Sequence, residues 1–115
     1  GMMVYSRETS DTMIFLSASN PGQRAVTLSS HGFAIPRARI ELVFPRPKIS
    51  LRLPYELLPG KSCKIGVEEK EMAQALKSRG FSGKVKLIGI YRDQINNTYK
   101  SKSYEFDVEE WNKET

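Results

Sequence analysis

The chain has 115 residues, 39% hydrophobic, 10% aromatic and 27% charged, with a formal net charge of +5. That length fits one domain with a real core, and the composition is not that of a disordered chain. A single cysteine, Cys63, and a single histidine, His31, exclude an internal disulfide framework and multi-cysteine or His-rich metal sites.

The longest apolar run, Met13-Ile14-Phe15-Leu16, falls far short of the ~20 residues that cross a bilayer. No apolar stretch of ~7–15 residues marks a signal peptide. Gly1-Met2 reads as a tag-cleavage scar ahead of a start methionine or an internal boundary. On this reading the chain is cytoplasmic as it stands, and membrane-tethered if a hydrophobic segment precedes it. The charge is uneven. Residues 105–115 hold Glu105, Asp107, Glu109, Glu110 and Glu114 against Lys113, whereas the other 104 residues hold 17 basic and 8 acidic side chains. A basic body attracts phosphates and anionic head groups, or simply stays well solvated.

In chain order, residues 1–10 read as an N-terminal segment outside the domain. Residues 12–19 alternate, with Ile14, Leu16 and Ala18 on one face and Met13, Phe15 and Ser17 on the other, which predicts a strand. Asn20-Pro21-Gly22-Gln23 is a turn, since proline presets φ and glycine accepts positive φ. Residues 24–30 alternate again, with Val26 and Leu28 inward, and Gly32 suggests a bulge before Phe33-Ala34-Ile35. A strand over 39–44 puts Ile40, Leu42 and Phe44 on one face. Pro45 and Pro47 then confine residues 50–53 to an edge strand, and 54–59 form a connection. Residues 61–67 alternate through Cys63, Ile65 and Val67.

A helix is predicted over about 68–79. Met72 and Leu76 share a face, Glu68, Glu69 and Glu71 open it, Lys77 and Arg79 close it, and Gly80 stops it with Phe81 beyond. Residues 84–92 read as a central strand, apolar on both faces through Val85, Leu87 and Tyr91 and through Ile88 and Ile90. A hairpin loop over 93–97 returns the chain as residues 98–108, where Tyr99 is out of phase with Tyr104, Phe106 and Val108. That mismatch predicts a bulge at 101–103. Residues 109–115 read as an acidic tail. About seven short strands with one helix inserted before the last two give an all-β class, specifically an immunoglobulin-like antiparallel β-sandwich over residues 11–108.

Several of these stretches carry a resemblance. Residues 19–28, Ser-Asn-Pro-Gly-Gln-Arg-Ala-Val-Thr-Leu, with His31-Gly32-Phe33, Leu53-Pro54, Leu58-Pro59-Gly60-Lys61-Ser62, Gly80-Phe81 and Tyr99-Lys100-Ser101, resemble a group of small bacterial proteins over about residues 10–108. The resemblance implies an Ig-like domain, often preceded by a hydrophobic segment, and no assigned activity. It also implies turn and core roles for Gly60, Gly80 and Tyr99, the last as a corner tyrosine. The chain departs from that pattern at Ile95-Asn96-Asn97, where members often carry glycine.

No catalytic constellation stands out. Ser30 and His31 are adjacent on a strand and point to opposite faces, and Cys63 lies in the apolar phase of its strand. Asp93, Asn96 and Asn97 suit a turn better than a calcium site, which needs ~6–8 oxygen ligands. Asn96-Asn97-Thr98 is a glycosylation sequon that matters only on secretion. No cofactor is expected. Arg37, Arg39, Arg46, Lys48 and Arg52 gather around the proline-rich middle. Lys84, Lys86, Arg92, Lys100 and Lys102 fall on the last two strands, as a stripe for phosphates or as guards against edge-to-edge association. The sequence therefore points to a non-catalytic binding or accessory module with a protein partner. The alternative is an anionic surface, membrane head groups or nucleic acid, contacted through those last five residues.

Overall fold

A computed structural model describes residues 2–8 and 12–112, with the side chains of residues 111 and 112 left aside. The described elements are β1 (Met3–Glu8), β2 (Met13–Ser19), β3 (Val26–Ile35), β4 (Ile40–Leu42), β5 (Tyr55–Leu57), β6 (Ser62–Glu68), α1 (Glu69–Ser78), β7 (Lys84–Asp93), β8 (Thr98–Lys100), β9 (Tyr104–Asp107) and α2 (Val108–Asn112). The chain is mostly β, and every strand pair is antiparallel.

Alternation sorts the strands into two layers. Ile14, Leu16 and Ala18 of β2 and Cys63, Ile65 and Val67 of β6 point inward from a three-stranded sheet ordered β1-β2-β6. Opposite them, Leu28, Phe33 and Ile35 of β3 and Val85, Leu87 and Tyr91 of β7 point inward from a sheet ordered β4-β3-β7-β8. In this second sheet β5 continues the flank that β4 begins, since both pair with β3. Likewise β8 and β9 share the flank of β7. One cluster of buried side chains fills the space between the sheets.

The helix α1 sits at one end of that core, burying Met72, Ala73 and Leu76. It has no side-chain cap at Glu68, in keeping with the missing N-cap signal in the sequence. Its C-terminus closes as the sequence suggests. Gly80 takes φ +85°, its N–H donates to the Lys77 carbonyl at 2.9 Å, and the Phe81 N–H donates to the Leu76 carbonyl at 3.1 Å.

Four local readings are corrected. Residues 3–8, set apart from the domain on sequence, form the outer strand β1. Only Val4 of its inward positions is apolar, while Met3 and Tyr5 face out, so the pattern hides its burial. The bulge expected at Gly32 lies at Ser29, where two residues of β3 oppose one of β7. Ser29 Oγ donates there to the Arg92 and Asp93 carbonyls at 3.3 and 3.1 Å. Gly32 serves a close approach instead, because a Cβ there would sit 2.6 Å from Glu41 Oε2.

Residues 50–53 are not a strand. The pairing falls one step later, in β5, within the stretch read as a connection, where Val26 faces Leu57 and Leu28 faces Tyr55. Finally, residues 108–112 of the acidic end form α2, packed on α1 and anchored by buried Val108. The Val108 N–H donates to the Gly83 carbonyl at 2.9 Å. Residues 113–115 of that expected tail, and Gly1 of the expected scar, lie outside the described residues. The break between β8 and β9 at 101–103 is the irregularity that Tyr99 announced.

Leu76 is fully buried and Lys77 exposed. Leu76→Ala is expected to cost ~2–5 kcal/mol by chemical denaturation, through lost transfer energy plus a cavity. Lys77→Ala is expected to cost under ~0.5 kcal/mol. Equal small losses would place α1 outside the core.

Candidate functional site

Sheet edges are the places where a β protein can accept another chain, and here they differ. On the flanks of the second sheet, β4, β5 and β8 have three residues each and β9 four, and each flank is interrupted. The free side of β6 is met by Ile49, whose N–H and carbonyl exchange hydrogen bonds with Gly66 at 3.1 and 2.9 Å. β1 is different. It runs six residues in unbroken register with β2, from Met3 opposite Ser19 to Glu8 opposite Ile14, and no strand among the described residues pairs with its other side.

The outward side chains of β1 join a shallow groove of about 300 Å³ lined by Tyr5, Arg7, Phe15, Ser17 and Lys64. Met3 and Tyr5 are 47% and 50% exposed, and the Lys64 ammonium lies 4.4 Å from the Phe15 ring centroid. Gly66 makes room for that ring, since a Cβ there would come within 3.0 Å of Phe15 Cε1.

The inward side of β1 leads to a group of carboxyls. Glu8 ends β1, Glu69 opens α1, and Glu110 lies on α2. The Glu69 N–H donates to the Thr12 carbonyl at 2.9 Å, which ties the start of α1 to the start of β2. Glu69 is only 1% exposed, and its Oε2 has no hydrogen-bond partner. Ser6 Oγ and Tyr104 Oη are buried as well, with the Ser6 hydroxyl beside the Tyr104 phenol. Burial pushes the Glu69 carboxyl up to about 8, helped by the nearby Glu8 and Glu110 charges. Glu8 is also raised, by burial and by Glu110, against the opposing effect of a hydrogen bond with Glu69. Burial raises the Tyr104 phenol as well.

The five basic residues expected to form a stripe are split by acids. Lys84 and Lys86 stand opposite Asp107 and Glu105 on β9. Both also line a groove of about 400 Å³ with Pro36, Arg37 and Phe81. Arg92 is held by Glu41 through two parallel hydrogen bonds of 2.8 Å, which lower the Glu41 carboxyl and raise the guanidinium. Lys100 faces Ile90, and Lys102 is exposed in the break before β9. Lys84, Lys86, Arg92 and Lys100 thus share the outer face of the second sheet, with Glu41, Glu105 and Asp107 interleaved.

The residues considered for chemistry have other occupations. Burial lowers the His31 imidazole, which meets Tyr91 edge-on at 6.1 Å between ring centroids. Burial pushes the Cys63 thiol up to about 11, the opposite of an activated nucleophile. Asp93 organises its hairpin. Its Oδ1 accepts from the Ile95 and Asn97 N–H groups at 3.0 and 2.9 Å, and its Oδ2 from Asn97 Nδ2 at 3.0 Å and the Tyr99 hydroxyl at 2.6 Å. Burial alone would raise that carboxyl, but these four donors outweigh it and hold it below the ordinary aspartate value.

Sequence reasoning missed β1 and the carboxyl group that it completes. The only available signal was the aromatic and β-branched content of Val4-Tyr5, because Glu8, Glu69 and Glu110 meet solely through the fold. Among the described residues no helix is long and apolar enough to cross a membrane, and no cluster of His, Cys, Asp and Glu is arranged to hold a metal ion. Comparison with protein-family models, with curated proteins and with solved structures gives no match.

Glu69 and Asp93 act on stability with opposite signs. Glu69 titrates higher in the folded chain than the ~4.3 of a free glutamate, so the folded state binds more protons between those values and stability falls as pH rises through that window. Glu69→Gln is expected to flatten that fall, raising Tm by ~4–8 °C at pH 8 and leaving it nearly unchanged at pH 4. Asp93 titrates lower when folded, so its contribution is present above the ordinary aspartate range and lost as pH drops below it. Asp93→Asn should lower Tm at pH 7 and flatten the acid limb. Thermal melts from pH 3 to 9 read both effects.

Proposed function

We propose that the chain is an immunoglobulin-like β-sandwich that works as a non-catalytic binding module, and that its protein partner adds an extended strand to β1. The strand order supports the fold reading. β1, β2 and β6 take the places of strands A, B and E, and β3, β7 and β8 those of C, F and G. The resemblance to small bacterial proteins with such a domain belongs to the same proposal. The occupations of His31, Cys63 and Asp93 favour binding over catalysis.

One observation carries the binding reading: β1 is a regular six-residue strand whose second side pairs with no strand among the described residues, while the other flanks are short, broken or met by Ile49. Main-chain hydrogen bonds supply affinity in strand addition, and alternate side-chain positions supply specificity. The second reading, an anionic surface, rests on Lys84, Lys86, Arg92, Lys100 and Lys102. The shared outer face of four of them favours it, and the Arg92–Glu41 pair and the cross-strand acids weigh against it.

A displayed library of random eight-residue peptides, selected on the intact chain, tests the reading. Selected peptides are expected to slow hydrogen exchange of the β1 amides on binding. Protection centred on β8 or on the outer face of the second sheet would overturn strand addition at β1. Affinity for anionic vesicles or mixed-sequence DNA is expected to vanish between ~50 and ~200 mM salt, and micromolar affinity retained at the higher salt would favour the anionic surface.

A further inference from the structure

We infer that the pocket between β3 and the strap of residues 43–53 receives an aromatic side chain of a partner protein, a tryptophan or tyrosine whose N–H or O–H donates to His31. The inference does not depend on strand addition at β1. The strap meets the free side of β6 at Ile49, and β6 and β2 stand between it and β1 in the sheet.

The pocket has a volume of about 330 Å³. Val43, Pro45, Pro47, Leu51 and Leu53 give it an apolar wall, all of them from the strap that joins β4 to β5. Pro45 and Pro47 lack an N–H and hold this stretch out of a ladder, so its side chains cover the margin of the core without sealing it. Leu51 and Leu53 pack against the core, whereas Val43 stays 60% exposed. An apolar wall with one or two polar points is the form that binding pockets usually take.

His31 supplies the polar point. It lies in the inward phase of β3 opposite Tyr91, is only 7% exposed, and lines the pocket. Tyr91 meets the ring edge-on at 6.1 Å, and the ring's one polar contact is with its own backbone. Burial holds the imidazole in its neutral form, which has one N–H and one bare nitrogen. The backbone contact favours the protonated ring, as a donated ring N–H does, so it takes up the hydrogen. The bare nitrogen is left as an acceptor beside the apolar wall. Ser30, the other polar lining residue, belongs to the outward phase of β3 opposite Arg92.

The occupant therefore pairs an apolar body with a hydrogen-bond donor. Indole and phenol rings do so, and each needs a partner for that hydrogen when buried. An ionised carboxylate or a phosphate dianion offers acceptors alone, and an ammonium would lose its hydration against valine, proline and leucine. The open side at Val43 favours a ring presented by a larger surface over a free molecule, since small-molecule sites bury ~70–90% of their ligand. Tryptophan and tyrosine are also the side chains that most often anchor protein interfaces.

The test uses the intact chain, whose single histidine makes its ring nitrogen signals unambiguous in NMR. N-acetyltryptophanamide and N-acetyltyrosinamide are the probes. Both are expected to shift the His31 ring and the Val43, Leu51 and Leu53 methyls, with Kd near ~1 mM for one side chain without the rest of an interface. The 1-methyltryptophan and phenylalanine counterparts keep the ring without the donor, and are expected to bind at least about fivefold weaker. Val43→Glu, at an exposed position, should weaken the tryptophan probe at least about tenfold with little change in Tm. Equal affinity for the methylated probe, or shifts centred elsewhere, would overturn the inference. So would free indole or phenol binding at micromolar Kd, which would make this a small-molecule site. Self-association abolished by Val43→Glu would make a second copy the occupant and overturn it as well. Hydrogen exchange of the β1 amides is expected to be unchanged by either probe, so the outcome leaves strand addition standing.

Discussion

The two sheets meet where Leu16 of β2 lies against Gly89 and Tyr91 of β7, and much of the architecture depends on that contact. The Tyr91 hydroxyl donates to the Leu16 carbonyl at 2.7 Å, a buried hydrogen bond from one sheet to the backbone of the other. A Cβ at Gly89 would collide with Leu16 Cδ1 and would come within 3.1 Å of Ser6 Cβ. A glycine is thus required for the layers to approach this closely. Gly89 also anchors the irregular flank, since its N–H donates to Ser101 Oγ and its carbonyl accepts from the Ser101 N–H, both at 2.8 Å. The bulge between β8 and β9 is therefore tied into the core contact. Because Ser6 touches the same spot, the position of β1 follows from it too.

The parts of the fold legible in the sequence are those whose burial follows a clean period. Ile14, Leu16 and Ala18, and likewise Cys63, Ile65 and Val67, recur at every second position, and 84–93 carry apolar residues on both faces, so their strands and phases were readable. The Met72–Leu76 pair and Gly80 made α1 equally plain. Legibility failed where periodicity was outvoted by tertiary contacts. β1 buries one apolar side chain and exposes two, β5 lies between two prolines, and α2 is only five residues long and opens on a single buried apolar residue, Val108, followed by two glutamates. In β3, Val26 and Leu28 must be brought into phase with Phe33 and Ile35, so a bulge was inevitable. Its position at Ser29 depended on which hydroxyl could reach the β7 carbonyls.

The candidate site was less legible than the fold, for a reason of register. Lys84 and Lys86 read as free cations along the chain, yet antiparallel pairing sets Asp107 and Glu105 directly across from them, and Glu41 reaches Arg92 from β4. Cross-strand opposite charges are a common surface arrangement, worth ~0.2–1 kcal/mol a pair, and they lower the net field of the face that carries them. The acids that the sequence grouped as a tail are thus distributed by the fold: Glu105 and Asp107 go to the lysines, and Glu110 goes to Glu8 and Glu69.

That distribution leaves a basic protein with one acidic corner, which bears on how a charged partner would be read. Beyond a Debye length of ~8 Å at physiological salt, the surplus of Lys and Arg is largely screened, so it neither steers a basic peptide strongly nor repels it. Within hydrogen-bonding range the balance reverses. Glu69 is removed from solvent, and a charge brought beside it interacts through protein rather than water. If a strand is added at β1 as proposed, discrimination by a charged side chain would arise only after the main chains have paired. It is expected to appear as slower dissociation rather than faster association, because close desolvated pairs act mainly on the off-rate. For a peptide that binds β1 through a lysine, stopped-flow comparison with its norleucine form should show nearly equal association rates and a dissociation rate raised in the norleucine form. A difference carried by association would instead mean that the charge is read at a distance, outside the carboxyl group.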